Sequence, residues 1–367
     1  MTLNGGVQFA TAGILNQGAG TQTVSASSIV LQTLATNTAS APVMIQNTPA
    51  TDQKLTASSG GLSLSNQGAG LISVTSAGAQ TVTARVIDVH TAPGATGNSI
   101  VSTPGNQWLR TTNGTGSGVG SMRVAALGTG LANIESGASQ LIELDYPGQM
   151  QGTGLDGRLI VGDIAAAGKS RIGAIDQTIF AKSVLVQTGG PGANTQSEIK
   201  STGRQVMSIL NGSLQVLGGA GANSLAQIDP TDQNILVNGS VLVQGGSGAN
   251  SVAQIVSQGT QTLFTTNGNI DVIGGVGAGA NASITSVGVQ SLSASGGITA
   301  TNTPGGGSGT IGGAAPPASS SGASSLTSTP SGNVIALGET QNGVINEAEP
   351  EGARDQNDPP LRAPVCF

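Results

Sequence analysis

The chain has 367 residues, a net charge of −6 and one cysteine, with 8% charged and 2% aromatic residues. Its 12 Lys and Arg are scattered, which leaves no clustered basic surface for displacing phosphate counterions. A lone cysteine rules out an internal disulfide framework, the 59 glycines lack a collagen triplet, and no apolar run of membrane-spanning length is present.

From the N-terminus, residues 1–139 carry loosely regular units marked by a glutamine two places before an apolar residue. These are Gln22-Thr-Val24, Gln53-Lys-Leu55, Gln80-Thr-Val82 and Gln107-Trp-Leu109. Residues 140–180 open with Gln140-Leu-Ile142 and read as a more charged insertion, with Glu143, Asp145, Asp156, Arg158, Asp163, Lys169, Arg171 and Asp176. The marker continues as Gln177-Thr-Ile179, Gln205-Val-Met207, Gln233-Asn-Ile235, Gln261-Thr-Leu263 and Gln290-Ser-Leu292. Successive spacings are 31, 27, 27, 33, 37, 28, 28, 28 and 29 residues. A period in this range marks a stacked-repeat architecture.

The regular copies lie in 181–301. Each opens with a short apolar run, such as Val184-Leu185-Val186 or Val241-Leu242-Val243. A glycine pair and Gly-Ala-Asn follow, ending at Asn194, Asn223, Asn250 and, with a small insertion, Asn281. A second apolar position comes next, at Ile199, Ile228, Ile255 and Ile284, and the glutamine segment is third. Alternation of apolar with small or polar residues predicts three half-buried strands per unit. Gly-Gly, Gly-Ala-Asn and Asn-Gly supply positive-φ corners. No stretch shows a capped helical pattern.

Three strands and three corners per ~28 residues fit one coil of a parallel β-helix, with coils about 4.8 Å apart and a rod of roughly 45–50 Å. A β-propeller blade needs about 40 residues or more, which disfavours that alternative. Equivalent residues are expected to stack as polar ladders: Gln205, Gln233, Gln261 and Gln290 along one face, and Asn194, Asn223 and Asn250 at a corner. The organisation read from the chain is a repeat domain over 1–301, a Gly/Ser/Pro/Ala-rich linker over 302–335 and an acidic tail over 336–367. Linker and tail hold too little apolar surface to fold and are expected to be disordered.

Units such as Val241 to Asn267, with Gly/Asn corners and alternating Val, Ile and Leu, resemble the filamentous haemagglutinin family of bacterial two-partner-secretion exoproteins. The similarity covers about 300 residues, and the ending Pro364-Val365-Cys366-Phe367 is also similar to tails in that family. The resemblance implies an all-β, right-handed parallel β-helix of about ten coils. It implies export to the extracellular space or bacterial outer surface, and a role in adhesion and biofilm formation. Implied partners are a glycan or matrix surface, an outer-membrane transporter and the rest of a longer exoprotein. The family's N-terminal secretion domain is missing from this sequence, so the chain reads as the C-terminal portion of a longer or split protein. No catalytic residue carries over from the family.

The expected function is therefore structural and adhesive, without enzyme activity, cofactor, metal, nucleic-acid partner or membrane insertion. A polysaccharide-active enzyme is the alternative, using Asp145, Asp156, Asp163 and Asp176 as grouped carboxylates, with Tyr146 as a stacking platform. A non-functional fragment of a split gene is a further alternative. His90 is the only histidine and reads as an exposed strand-end residue. Asn113, Asn211, Asn238 and Asn281 head glycosylation sequons, although Asn-Gly-Ser is also good turn chemistry. Cys366 is a candidate tether through a mixed disulfide, or an inert thiol.

Overall fold

The computed structural model describes residues 2–5, 12–35, 42–112, 122–144, 157–190, 192–312, 324–328 and 334–337. Among them there is no helix, and the strands from Thr2 to Ile311 pair in parallel as a β-solenoid with three strands per coil. Three sheets run along the axis. The leading sheet starts with Thr2–Gly5 and Ile29–Thr33 and ends with Ile298–Thr301. The middle sheet runs from Ala12–Asn16 and Val43–Asn47 to Gly309–Ile311. The glutamine sheet runs from Gln22–Ala26 to Gln290–Ala294. Long strands such as Gln53–Asn66 and Gln196–Ile209 turn a corner and serve two sheets each.

The alternating pattern sends every second side chain inward, and coil-to-coil register stacks like on like. In the leading sheet Leu64, Val89, Val124, Val161 and Val186 form one buried column. In the middle sheet Ile172, Ile199, Ile228, Ile255, Ile284 and Ile311 form another. Thin layers of Val, Ile and Leu fill this core, so the scarcity of aromatics is no handicap. β-branched side chains suit the pleated, stacked geometry.

The glutamines form the third column, and they are interior. A residue two places before an inward apolar residue shares its face, so the Gln-x-apolar pattern buries both. From Gln22 to Gln290 the ten glutamines are 0–6% exposed. Each Nε2 donates to the Oε1 of the preceding rung: Gln53 to Gln22 at 2.6 Å, Gln205 to Gln177 at 2.7 Å, Gln290 to Gln261 at 2.6 Å, and likewise between. Several amides use their second proton on a backbone carbonyl, as Gln53 does with Thr75 O at 3.1 Å and Gln290 with Ile284 O at 3.0 Å. This matters because a buried amide left unpaired is costly. At about 4.8 Å per rung the ladder spans roughly 43 Å.

The turn asparagines adopt left-handed backbone, with φ of 64° at Asn194, 55° at Asn223 and 53° at Asn250. Their side chains are exposed, and Asn250 Nδ2 donates to Asn223 Oδ1 at 3.1 Å. The fourth copy departs from the expected alignment. Gly279, with φ of 67°, occupies the equivalent position, and Asn250 N donates to Ala278 O beside it. Asn281 lies two residues further on, just before Ala282–Ser286. The motif Gly-Ala-Asn recurs there by sequence, but backbone register selects the glycine.

Two expected boundaries also change. The described parts of 140–180 belong to the solenoid: Ser139–Leu144, Arg158–Val161, Lys169–Ala174 and Asp176–Ala181 are rungs with buried inward residues. The extra length behind the 33- and 37-residue spacings falls in 113–121 and 145–156. Those two segments lie outside the described residues. At the C-terminal end the solenoid passes residue 301, because Gly309–Ile311 pairs with Ala282–Ser286 and Ile311 is fully buried. The glycine run that reads as linker is a close backbone approach: a Cβ on Gly307 would strike the Ala280 carbonyl. Ser324–Ser328 then pairs antiparallel with Gln290–Ala294, and Val334–Leu337 pairs with it in turn. Residues 338–367, including most of the expected tail, lie outside the described residues.

Candidate functional site

Each sheet presents its outward residues as a regular grid. On the glutamine sheet, residues flanking the buried glutamines point to solvent. Trp108 follows Gln107, Leu141 follows Gln140 and Thr178 follows Gln177, all in register. Trp108 is 40% exposed, an unusual state for the only tryptophan of the chain. Its indole Nε1 donates to Glu143 Oε2 at 2.8 Å on the next rung, which fixes the ring plane. Arg110, two residues on and so on the same face, places its guanidinium carbon 6.0 Å from the ring centroid, within cation–π range. A groove of about 410 Å³ runs across these rungs, lined by Trp108, Thr81, Asn106, Leu141, Asp176 and Thr178 among others. Phe264 and Leu236, at 41% and 38% exposed, extend apolar character along the same outer face.

An exposed indole held by a carboxylate, with amide, hydroxyl and carboxylate groups beside it, offers both a flat apolar face and hydrogen-bonding partners. That combination suits a ring with one C–H face and an equatorial belt of hydroxyls. Tyr146, the expected stacking platform, lies outside the described residues. Trp108 is the exposed aromatic that lines the groove. The signal was present in the sequence, because the residue after a ladder glutamine must face outward.

The four candidate carboxylates do not form a described pair. Asp145 and Asp156 fall within 145–156, outside the described residues. Asp163 and Asp176 sit at opposite ends of Lys169–Ala174. A six-residue strand spans about 20 Å, whereas glycoside hydrolysis brings two carboxyls within about 5–10 Å. Each is also engaged as a corner cap. Asp163 Oδ1 accepts from Ala165 N at 2.9 Å, and Asp176 Oδ1 accepts from Arg204 N at 2.9 Å in the next coil. Asp232 repeats the cap on Thr260, whose backbone N–H and hydroxyl hold its carboxyl below the usual range.

Of the other charges of the 140–180 block, Arg171 joins a ladder on the outer face of the middle sheet. Arg171 lies 3.7 Å from both Glu135 and Glu198, and Lys200 lies 3.2 Å from Asp229. Glu198 accepts from Gln227 at 2.5 Å, and Gln227 from Gln254 at 2.8 Å. These pairs bind rung to rung and leave no isolated acid there.

His90 is not a lone exposed residue. It is half-buried, with Ser65 Oγ 3.1 Å from Nε2 and Asp88 Oδ2 3.1 Å from Nδ1. Burial pushes the Asp88 carboxyl up, but His90 and Arg123 beside it outweigh that and leave it below its ordinary value. Burial likewise works against the Arg123 charge, and Asp88 with Asp163 more than restores it. The spacing of Ser65, Asp88 and His90 carried no motif, since Ser65 and His90 are 25 residues apart and meet only through coil register.

Of the sequon asparagines, Asn211 and Asn281 are exposed at corners, while Asn113 lies outside the described residues. Asn238 is half-buried and fully engaged: its Nδ2 donates to Leu210 O at 2.9 Å, and its Oδ1 accepts from Thr266 and Asn267. Cys366 also lies outside the described residues. Among the described residues no group of three or more His, Cys, Asp or Glu is placed to hold a metal ion, and no helix is long and apolar enough to cross a membrane. Comparison with known proteins finds no matching family model, no matching curated protein and no matching solved structure.

Proposed function

We propose that this chain is the adhesive shaft of an exported bacterial protein, holding glycans along the outer face of its glutamine sheet. The observation that carries the reading is the groove at Trp108, where an exposed indole is pinned by Glu143 and flanked by Arg110, Asp176 and small hydroxyl and amide side chains. The ladder core makes the rod stiff, so sites on successive rungs keep fixed spacing. A polymeric ligand that touches several of them gains avidity from contacts that are individually weak. The Ser, Thr and Asn rows on the same face supply such contacts, and the low charge avoids repelling anionic polysaccharides. Placement in a filamentous haemagglutinin-like exoprotein is part of this proposal and rests on the repeat chemistry. The separation of Asp163 and Asp176 gives the polysaccharide-cleaving alternative no support.

Titration of the intact chain against a panel of soluble polysaccharides tests the reading. At least one is expected to bind, and Trp108→Ala is expected to weaken that binding about tenfold or more, as loss of a central aromatic anchor does. Phe264→Ala, several rungs away, should have the smaller effect. Binding that is indifferent to Trp108→Ala, or no binding to any polysaccharide, would overturn it.

A further inference from the structure

The outer face of the leading sheet carries a second constellation that the glycan reading does not use. Ser65 lies near the end of the Gln53–Asn66 strand, and Asp88 and His90 lie near the end of Gln80–Thr91 on the next rung. Ser65 and His90 pair in register, as do Ser63 and Asp88. Asp88 and His90 are two residues apart in one strand, so both point outward and lie side by side. Ser65 Oγ is 3.1 Å from His90 Nε2, and His90 Nδ1 is 3.1 Å from Asp88 Oδ2. The His90 and Asp88 side chains are only 16% and 18% exposed, so both are partly shielded from water.

Arg123, one rung further, grips the Asp88 carboxylate with Nε at 2.9 Å and Nη2 at 3.1 Å. It holds that group ionised and fixed beside the imidazole. If the Ser65 hydroxyl donates to Nε2, the ring proton sits on Nδ1, facing Asp88. This is the tautomer a general base needs. The Nδ1 approach is close but not aligned as a hydrogen bond. Catalytic hydrogen bonds in empty sites are often misaligned and tighten when substrate seats. On the other side of Ser65, Gln32 pairs with it in register and is half-buried. Its backbone stands one rung, about 4.8 Å, from that of Ser65, and a glutamine amide is a donor of the kind that holds an oxyanion.

We propose that Ser65, His90 and Asp88 form a serine-nucleophile site that hydrolyses carboxylic esters with a short acyl group. Ser65 Oγ passes its proton to His90 Nε2 as it attacks the ester carbonyl carbon. The tetrahedral oxyanion collapses, the C–O bond to the alcohol breaks, and His90 returns the proton to the leaving oxygen. Water then attacks the acyl-Ser65 ester and gives a proton to His90. The carboxylic acid leaves, and Ser65 Oγ regains that proton. Asp88 stabilises the imidazolium formed in both halves. The acyl group is short because Ala125, in register with His90 on the next rung, is fully buried, so that side of the imidazole is covered and leaves little room. The site lies on a different sheet from Trp108 and does not depend on the glycan reading.

The test is covalent. The intact chain is treated with a fluorophosphonate reagent, the adduct is located by mass spectrometry, and turnover of p-nitrophenyl acetate is followed in parallel. One adduct at Ser65 is expected, absent in Ser65→Ala and unchanged in Ser63→Ala on the same face. His90→Gln should slow labelling about a hundredfold, and Gln32→Ala should lower ester turnover about a hundredfold while both keep the β-type circular dichroism of the parent. No adduct at Ser65 in the folded chain, or labelling equally fast in His90→Gln, would overturn the proposal.

Discussion

Replacing Gln205 with leucine is expected to lower the unfolding free energy by about 2–6 kcal/mol, from ~1–3 kcal/mol for each buried polar group left unpaired. Gln205 is fully buried, donates to Gln177 at 2.7 Å and accepts from Gln233 at 2.9 Å. Leucine has nearly the same volume, so little cavity forms. What is lost is the partner of the Gln177 carbonyl oxygen below and of the Gln233 amide above. The control is Gln215→Leu on the outer face of the leading sheet, where the side chain is half-exposed. That change should stay within about 0.5 kcal/mol. Urea midpoints for the two variants decide the matter. Equal losses would place the ladder on the surface and break the account of the core.

Ile228→Ala is expected to cost about 2–5 kcal/mol, the usual range for truncating a buried Ile to Ala. Ile228 is fully buried, with Ile199 on one side and Ile255 on the other. In a linear array each coil contacts only its neighbours, so the damage depends on position. Ile311 is just as buried but sits on the last parallel rung of the middle sheet. Ile311→Ala should loosen that rung locally and leave the rest of the rod protected. Hydrogen exchange followed by mass spectrometry distinguishes the two. The Ile228 variant should expose backbone across the flanking coils, and the Ile311 variant only near residue 309. A final-rung variant that unfolds the whole rod would contradict the stacked-coil account.

The fold was largely legible because the code is periodic. The Gln-x-apolar spacing set the register, and the alternation set the faces. The asparagine corners were read correctly where backbone and motif agreed, at Asn194, Asn223 and Asn250. They diverged at Gly279, where a recurring Gly-Ala-Asn drew attention from the glycine that takes the left-handed position. The burial of the glutamines was readable from parity alone. Polar character points outward in a generic reading, and only the ladder makes an inward amide tolerable.

Sites were harder. Trp108 and Glu143 are 35 residues apart, and Ser65 and His90 are 25 apart. Neither pair resembles a motif along the chain. Both become neighbours once Gln107 is stacked on Gln140 and Leu64 on Val89. Closeness in sequence does not bring the two described carboxylates together for the same reason. Asp163 and Asp176 are near in the chain, yet a full strand separates them in the coil.

The most direct measurement is side-chain amide exchange, read by NMR on selectively labelled glutamine. A continuous internal ladder holds the coils in register and thereby builds the outer faces. The ladder amides from Gln53 to Gln290 are expected to exchange slowly and as a group, while outward Gln215 exchanges freely. Ladder amides that exchange as fast as Gln215 would contradict the register, and with it the placement of Trp108 beside Glu143 and of Ser65 beside His90.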